Sequence, residues 1–345
     1  MNCPPSILYE GKGTFLVTQM ITYIIRRLLL LIPTMLGIVV IVFGLLQIIP
    51  GDPATALLGL DATPEMIENM RRVLGTDQPW IVQLTKYLGR LLQGDLGESI
   101  FQKTPVIEVV FEHLPATIEL ALMSLLISAL IGVPLGVLAA VKRGSPIDLF
   151  SMLFAQLGIS IPVFWLGILL MLWFAVYLDW LPSIGRGEPL MDAFEALFSG
   201  HPEVLVDSLR HLMLPAITLG LNGAAIISRI QRSAMLEVLG EDFIRTARSK
   251  GLVSWKVVIY HAFRNSLLPV VSVMGLQFGV LLGGAVLTEF IFGWPGVGQL
   301  AITAIGQRDI PLVQGVVLII AFLFSLINLV VDLLYVSIDP RIRLE

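Results

Sequence analysis

The sequence predicts an all-α polytopic membrane protein with six transmembrane helices and a folded loop domain between the first two. Three observations carry this. Of 345 residues, 56% are apolar and only 14% charged, with a mean hydropathy of +0.87, whereas soluble domains carry about 25% charged residues. Six apolar stretches, 28–49, 120–141, 149–178, 212–228, 267–288 and 313–331, approach or exceed the ~20 residues a helix needs to cross hydrocarbon. The connections between them are strongly basic on one side and nearly free of Lys and Arg on the other.

Residues 1–19 have no charged segment leading an apolar run and no small-residue cleavage site, so they are read as an N-terminal extension and not as a cleaved signal. The first transmembrane helix is placed at 20–49, anchored at its inner interface by Arg26 and Arg27. Segment 50–116, rich in helix formers and punctuated by Gly94, Gly97 and Pro105, is expected to fold as a small periplasmic domain. Helices two to six occupy 117–337, and 338–345 form a short tail. In the third stretch Pro162 predicts a kink, because its ring removes a backbone donor. The fourth is short and carries Pro215, Asn222 and two glycines, so it is expected to span only under the cover of neighbouring helices.

Short connections rich in Lys and Arg stay on the cytoplasmic side. With the N-terminus inside, that side collects Lys12, Arg26, Arg27, Lys142, Arg143, Arg229, Arg232, Arg245, Arg248, Lys250, Lys256, Arg264, Arg341 and Arg343. The other side keeps Arg186, Arg210 and Arg308 in its short connections. Both termini are therefore expected in the cytoplasm. The bases of the long loop do not oppose this, since a loop beyond ~60 residues translocates largely regardless of charge.

Several function classes are excluded by pattern. The net charge of −4 and the lack of a basic stripe with interleaved aromatics argue against nucleic acid. The string Gly11-Lys12-Gly13-Thr14 lacks the upstream glycine and the adjacent hydroxyl of a phosphate loop. The four histidines are dispersed and the single cysteine, Cys3, belongs to no cluster, so no zinc or disulfide framework is expected. Glu119, Glu289 and Asp332 fall near span ends, where a carboxylate is expected to reach interfacial water. With no ionisable residue at mid-membrane, a proton-coupled carrier is disfavoured, and any uphill transport must draw its energy from elsewhere.

The segment 240–269, GEDFIRTARSKGLVSWKVVIYHAFRNSLLP, is polar and basic between two apolar runs. A helical pattern from Glu241 ends at Gly251, a residue suited to a left-handed helix end. A second helix is expected from Ser254 as N-cap to the boundary at Pro269. Phe243, Ala247 and Gly251 recur at i, i+4 and i+8 and share a face, on which the small residues would admit a close partner. Arg245, Arg248 and Ser249 point elsewhere and are available for charge-assisted contacts. The plainer alternative is a solvated amphipathic connector.

This hairpin resembles the EAA loop of ABC importer permeases. With RRLLLLIPT, IPGDP, GDLGESI, GVLAAVKRG, EFIFGWPGVGQL and DPRIR elsewhere, the chain resembles the B-type permease subunits of bacterial dipeptide, oligopeptide and nickel ABC importers, the dipeptide branch above all. Arg245 stands where the general importer consensus has its glutamate and Thr246 at its first alanine, departures that the peptide branch shares. The resemblance implies the type I ABC importer permease fold, with 233–268 as the cytosolic coupling segment. It also implies a place in the bacterial inner membrane, lipid around the bundle, a C-type permease partner, two ABC ATPase subunits and a periplasmic peptide-binding protein. ATP and Mg would be held by the ATPases, leaving this chain without a cofactor or an enzymatic role. The ATPase-coupling residues would be Glu241, Asp242, Phe243, Arg245, Thr246, Ala247, Arg248, Lys250 and Gly251. Gln156, Ser160, Pro162, Asn222 and Gln277 are candidates for the substrate path, offering hydrogen bonds without fixed charge. Nickel or glutathione would fit the same importer class.

Overall fold

The computed structural model describes residues 7–48, 51–59, 61–283 and 285–338, with side chains from Tyr23 to Leu333 apart from Gln47. Ile49, Pro50, Leu60, Gly284 and residues 339–345 of the predicted tail lie outside the described residues, as do residues 1–6 of the predicted extension. Among the described residues the fold is helical, with one isolated bridge between Glu98 and Pro105.

Helix α1 (Ile7–Ile48) begins inside the stretch predicted as an extension, so no break in the helix marks position 19. The loop domain contains α2 (Pro53–Leu58), α3 (Pro64–Leu74) and α4 (Trp80–Leu91). Asp52 and Thr63 cap α2 and α3, each accepting a backbone N–H in the first turn. The second membrane helix starts earlier than expected: α5 (Val106–Val141) runs straight through the predicted loop boundary at 116 and through Pro115 and Pro134. Its first turns are held by an apolar core that Val106, Val110 and Leu114 share with later elements.

The third stretch is broken more sharply than a kink. Helices α6 (Pro146–Ser160) and α7 (Val163–Met171) meet at 101°, and α7 continues as a π-helical turn over Leu172–Tyr177. Proline steers the preceding residue out of the helical region, and Ile161 is extended at φ −78°, ψ 125°. Its N–H closes α6 on the Leu157 carbonyl, and the Pro162 carbonyl accepts from Leu166 to open α7. These two bonds close one helix and open the next on either side of the corner.

Beyond a short α8 (Leu190–Phe198), α9 (Pro202–Leu239) is the most enclosed of the membrane-length helices, as its polar and glycine content required. It packs along α5 through a ladder of small residues. Ser124, Ser128, Gly132 and Gly136 recur every fourth position on α5. A Cβ on Gly132 would lie 2.7 Å from the Ala224 carbonyl, and one on Gly136 would lie 2.6 Å from that of Ser228. Such backbone approach is how helices associate where lipid removes the hydrophobic drive.

Helix α10 (Asp242–Ser249) leads through Gly251 to α11 (Ser254–Lys256), a π-helical segment over Val257–Phe263 and α12 (Arg264–Leu282). Val253, not Ser254, occupies the N-cap. The helix does not stop at Pro269, which sits inside α12. Apolar neighbours tolerate a proline there better than water does. Short helices α13 (Val286–Ile291) and α14 (Val297–Gln307) precede the last long helix, α15 (Ile310–Ile338). Among the described residues, five single helices and one broken pair are long and apolar enough to cross a membrane.

Candidate functional site

Three assemblies follow one another along the bundle: a charged hairpin at one end, a cavity in the middle and a polar knot near the loop domain. The hairpin is shaped by two inward anchors. Ile244 and Ala247 on α10 are buried with Ala140 of α5, Met235 of α9, and Val257 and Ala262. The expected shared face of Phe243, Ala247 and Gly251 is therefore split, because Ala247 seals the chain's own core. Phe243 and Gly251 are exposed, as are Glu241, Asp242, Arg245, Thr246, Arg248 and Lys250. The outward surface is instead a polar ridge. Arg245 reaches Asp242 at 3.4 Å, and the hydroxyls of Thr246 and Ser249 each donate to the carbonyl four residues back. Gly251 adopts φ +76°, the left-handed turn its residue type predicted. Ile244 escaped the sequence reading, although its i, i+3 spacing with Ala247 was the available signal.

The cavity, about 660 Å³, lies between α5, α7, α9, α12 and α13. Its walls are mostly aliphatic, with Ser128, Asn222, Gln277 and Thr288 as the polar lining. Gly223 lets them converge: a Cβ there would lie 3.0 Å from Ser128 Cβ and 3.1 Å from Gln277 Oε1. Of the candidate path residues, Asn222 and Gln277 thus come together. Gln156 and Ser160 do not line the cavity. They are exposed and face each other, Gln156 Nε2 donating to Ser160 Oγ at 3.3 Å. Pro162 is also exposed but acts indirectly, since the corner it makes delivers Val163 and Phe164 to the cavity wall. Asn222 Nδ2 donates to the Gly158 carbonyl at 2.8 Å, fastening the end of α6 to α9.

The knot is centred on Glu289, which is fully buried and does not reach interfacial water as its position suggested. One carboxylate oxygen accepts from Thr117 Oγ1 at 3.0 Å, and the other from the N–H groups of Gly298 and Gln299 at 2.7 and 3.1 Å. These N–H groups belong to the first turn of α14, where a carboxylate is favoured. Burial pushes the Glu289 carboxyl above its ordinary value, against the pull of those three donors. Trp294, also buried, donates Nε1 to the Ala116 carbonyl at 2.8 Å. Arg186 lies over its ring and pairs with Glu119 at 2.6 Å. Asp332 pairs with Arg27 and accepts from Tyr23. These carboxylates are thus committed to structural partners.

A bundle of membrane-length helices around a mostly aliphatic cavity with a few hydrogen-bonding groups, and a charged helical hairpin at one end, is in keeping with a permease subunit. Family models match over nearly the whole chain: the binding-protein-dependent transport system inner membrane component over residues 132–344, and the N-terminal part of such membrane components over 20–121. The chain belongs to this family and is a multi-pass inner-membrane protein. Among its relatives, the dipeptide transport system permease protein DppB of Alkalihalophilus pseudofirmus is 44% identical over 94% of this chain and 100% of its own length. The di/tripeptide transport system permease protein DppB of Pseudomonas aeruginosa is 46% identical over 94% of this chain and 99% of its own. The glutathione transport system permease protein GsiC of Salmonella typhimurium is 42% identical over 94% and 99%. An inward-facing structure of the MetNI methionine ABC transporter superposes with a TM-score of 0.52 at 19% identity, covering 68% of this chain and 97% of the matched one. At that identity the likeness speaks for the fold.

Proposed function

We propose that this chain is the B-type membrane subunit of an ATP-driven importer that carries dipeptides or short oligopeptides across the bacterial inner membrane. The observation that carries this reading is 44–46% identity to dipeptide permeases over 94% of the chain. The cavity is in keeping with it, since hydrogen-bonding groups among aliphatic walls suit a peptide backbone without fixing its charged termini. In this reading a C-type permease completes the path, and two ABC ATPases holding ATP and Mg dock on the polar ridge of α10. A periplasmic binding protein delivers cargo to the loop domain, 50–116, and both termini lie in the cytoplasm.

Co-expression with candidate partner subunits and reconstitution into liposomes tests the proposal. ATP-dependent accumulation of a labelled dipeptide in the presence of the binding protein is expected. Preference for glutathione over dipeptides would select the second substrate, which the GsiC relative favours. Uptake by this polypeptide alone under a proton gradient would overturn the importer reading.

A further inference from the structure

Between the hairpin and the cavity wall, and part of neither, lies a half-buried ion pair. Arg232 sits on α9 one turn before Met235, the residue on which α10 rests. It grips Asp148 with two bonds, Nε to Oδ1 at 2.6 Å and Nη2 to Oδ2 at 3.0 Å. Asp148, 4% exposed, lies in the first turn of α6 and also accepts the Gly144 N–H at 2.9 Å. The pair therefore ties α9 to both α6 and the α5–α6 turn. Sixty-four residues of sequence separate the partners at the far end of α6, where Asn222 of α9 holds the Gly158 carbonyl. At this second tie Gly158 also approaches Ala225 too closely for any side chain at position 158.

Helix α6 is thus fastened to α9 at both ends, and α7 leaves it through the Pro162 corner into the cavity wall. An aliphatic pair would hold two helices together without the cost of desolvating two charges. The bidentate fork does something more, because it fixes the rotation and the lengthwise position of one helix on the other. We propose that Asp148 and Arg232 are positioning residues that make α6 travel with α9, so that displacement of α10 is delivered to Val163 and Phe164. This rests on the reading of α10 as the ATPase-docking helix.

The test is the ratio of peptide uptake to ATP hydrolysis by the complete transporter in liposomes, for wild type, Asp148→Asn, Arg232→Lys, and the exchange Asp148→Arg with Arg232→Asp. Coupling between sites commonly amounts to about 5- to 150-fold, so Asp148→Asn is expected to lower that ratio roughly tenfold while ATP hydrolysis persists. Arg232→Lys, which keeps charge and loses the fork, should fall between. The exchange should recover part of the ratio. An unchanged ratio in both single variants overturns the inference, as does a parallel fall of uptake and hydrolysis in an assembled complex, which marks a merely structural tie. Should Asp148→Asn fail to assemble, Arg232→Lys decides by the same ratio. A wild-type complex that does not couple ATP to uptake overturns the importer reading instead, so the two failures are distinct.

Discussion

Glu289 shows how burial changes the meaning of a residue. Near the end of an apolar run a glutamate reads as an interfacial group, and only the fold reveals Thr117, 172 residues away, as its partner. Removing the carboxylate leaves buried donors at the start of α14 unpaired, a loss of about 1–3 kcal/mol. Glu289→Ala should therefore lower the thermal unfolding midpoint of the solubilised subunit, and Glu289→Gln, which keeps an acceptor for the backbone, should do so less. The pH dependence follows from the raised native pKa. A carboxyl that holds its proton more tightly when folded contributes stability in full below its unfolded value, and that contribution is lost as pH rises through the native one. The wild-type midpoint should fall as pH climbs through that window, and the slope should flatten in Glu289→Gln. Melting curves over a pH series check both.

At the scale of elements, the seam between α5 and α9 carries the bundle. A side chain on Gly132 or Gly136 would meet backbone carbonyls of α9, which cannot rotate away, whereas a Cβ on Gly37 of α1 would meet nothing within 4 Å. Gly132→Val should abolish accumulation of folded subunit in the membrane and Gly37→Ala should be tolerated, as membrane fractions analysed by fluorescence-detected chromatography would report. The existence of the membrane helices was legible in the sequence, because hydrocarbon thickness imposes a length and composition that a linear reading detects. Packing faces were less so. The four-residue spacing of Ser124, Ser128, Gly132 and Gly136 was present in the letters, but an apolar helix offers no polar face to show which side turns inward. The corner at Pro162 likewise exceeded the expected kink, since composition is blind to the backbone angles of Ile161. On α10, the i, i+4 spacing grouped Ala247 with Phe243, whereas Ala247 turns inward with Ile244, its i, i+3 neighbour, and leaves Phe243 exposed.

Across the whole molecule, the knot and the hairpin lie at opposite ends of α5, which packs on Trp294 through Ala116 and on Met235 through Ala140. Basic residues cluster at the hairpin end, so in a background with Cys3→Ser, Asp77→Cys should react with an impermeant thiol reagent on intact spheroplasts and Ser249→Cys should not. The reverse labelling pattern would invert the topology. Between the ends, the cavity has Ser128, Asn222, Gln277 and Thr288 as its polar lining, with no Asp, Glu, Lys or Arg among the described residues that line it. Without fixed charge it has no clamp for a peptide's termini, and tight binding within a path would slow release. Selection is then expected to reside mainly in the binding protein, with the cavity governing passage. Asn222→Ala and Gln277→Ala should alter the rate of uptake without reordering preference among dipeptides and tripeptides, Asn222→Ala more strongly because it also frees the end of α6. Gln156→Ala, outside the cavity, should leave the rate near wild type. Competition uptake in liposomes with one fixed binding protein measures all three, and a variant that exchanged the preferred peptide would show that the cavity itself reads the cargo.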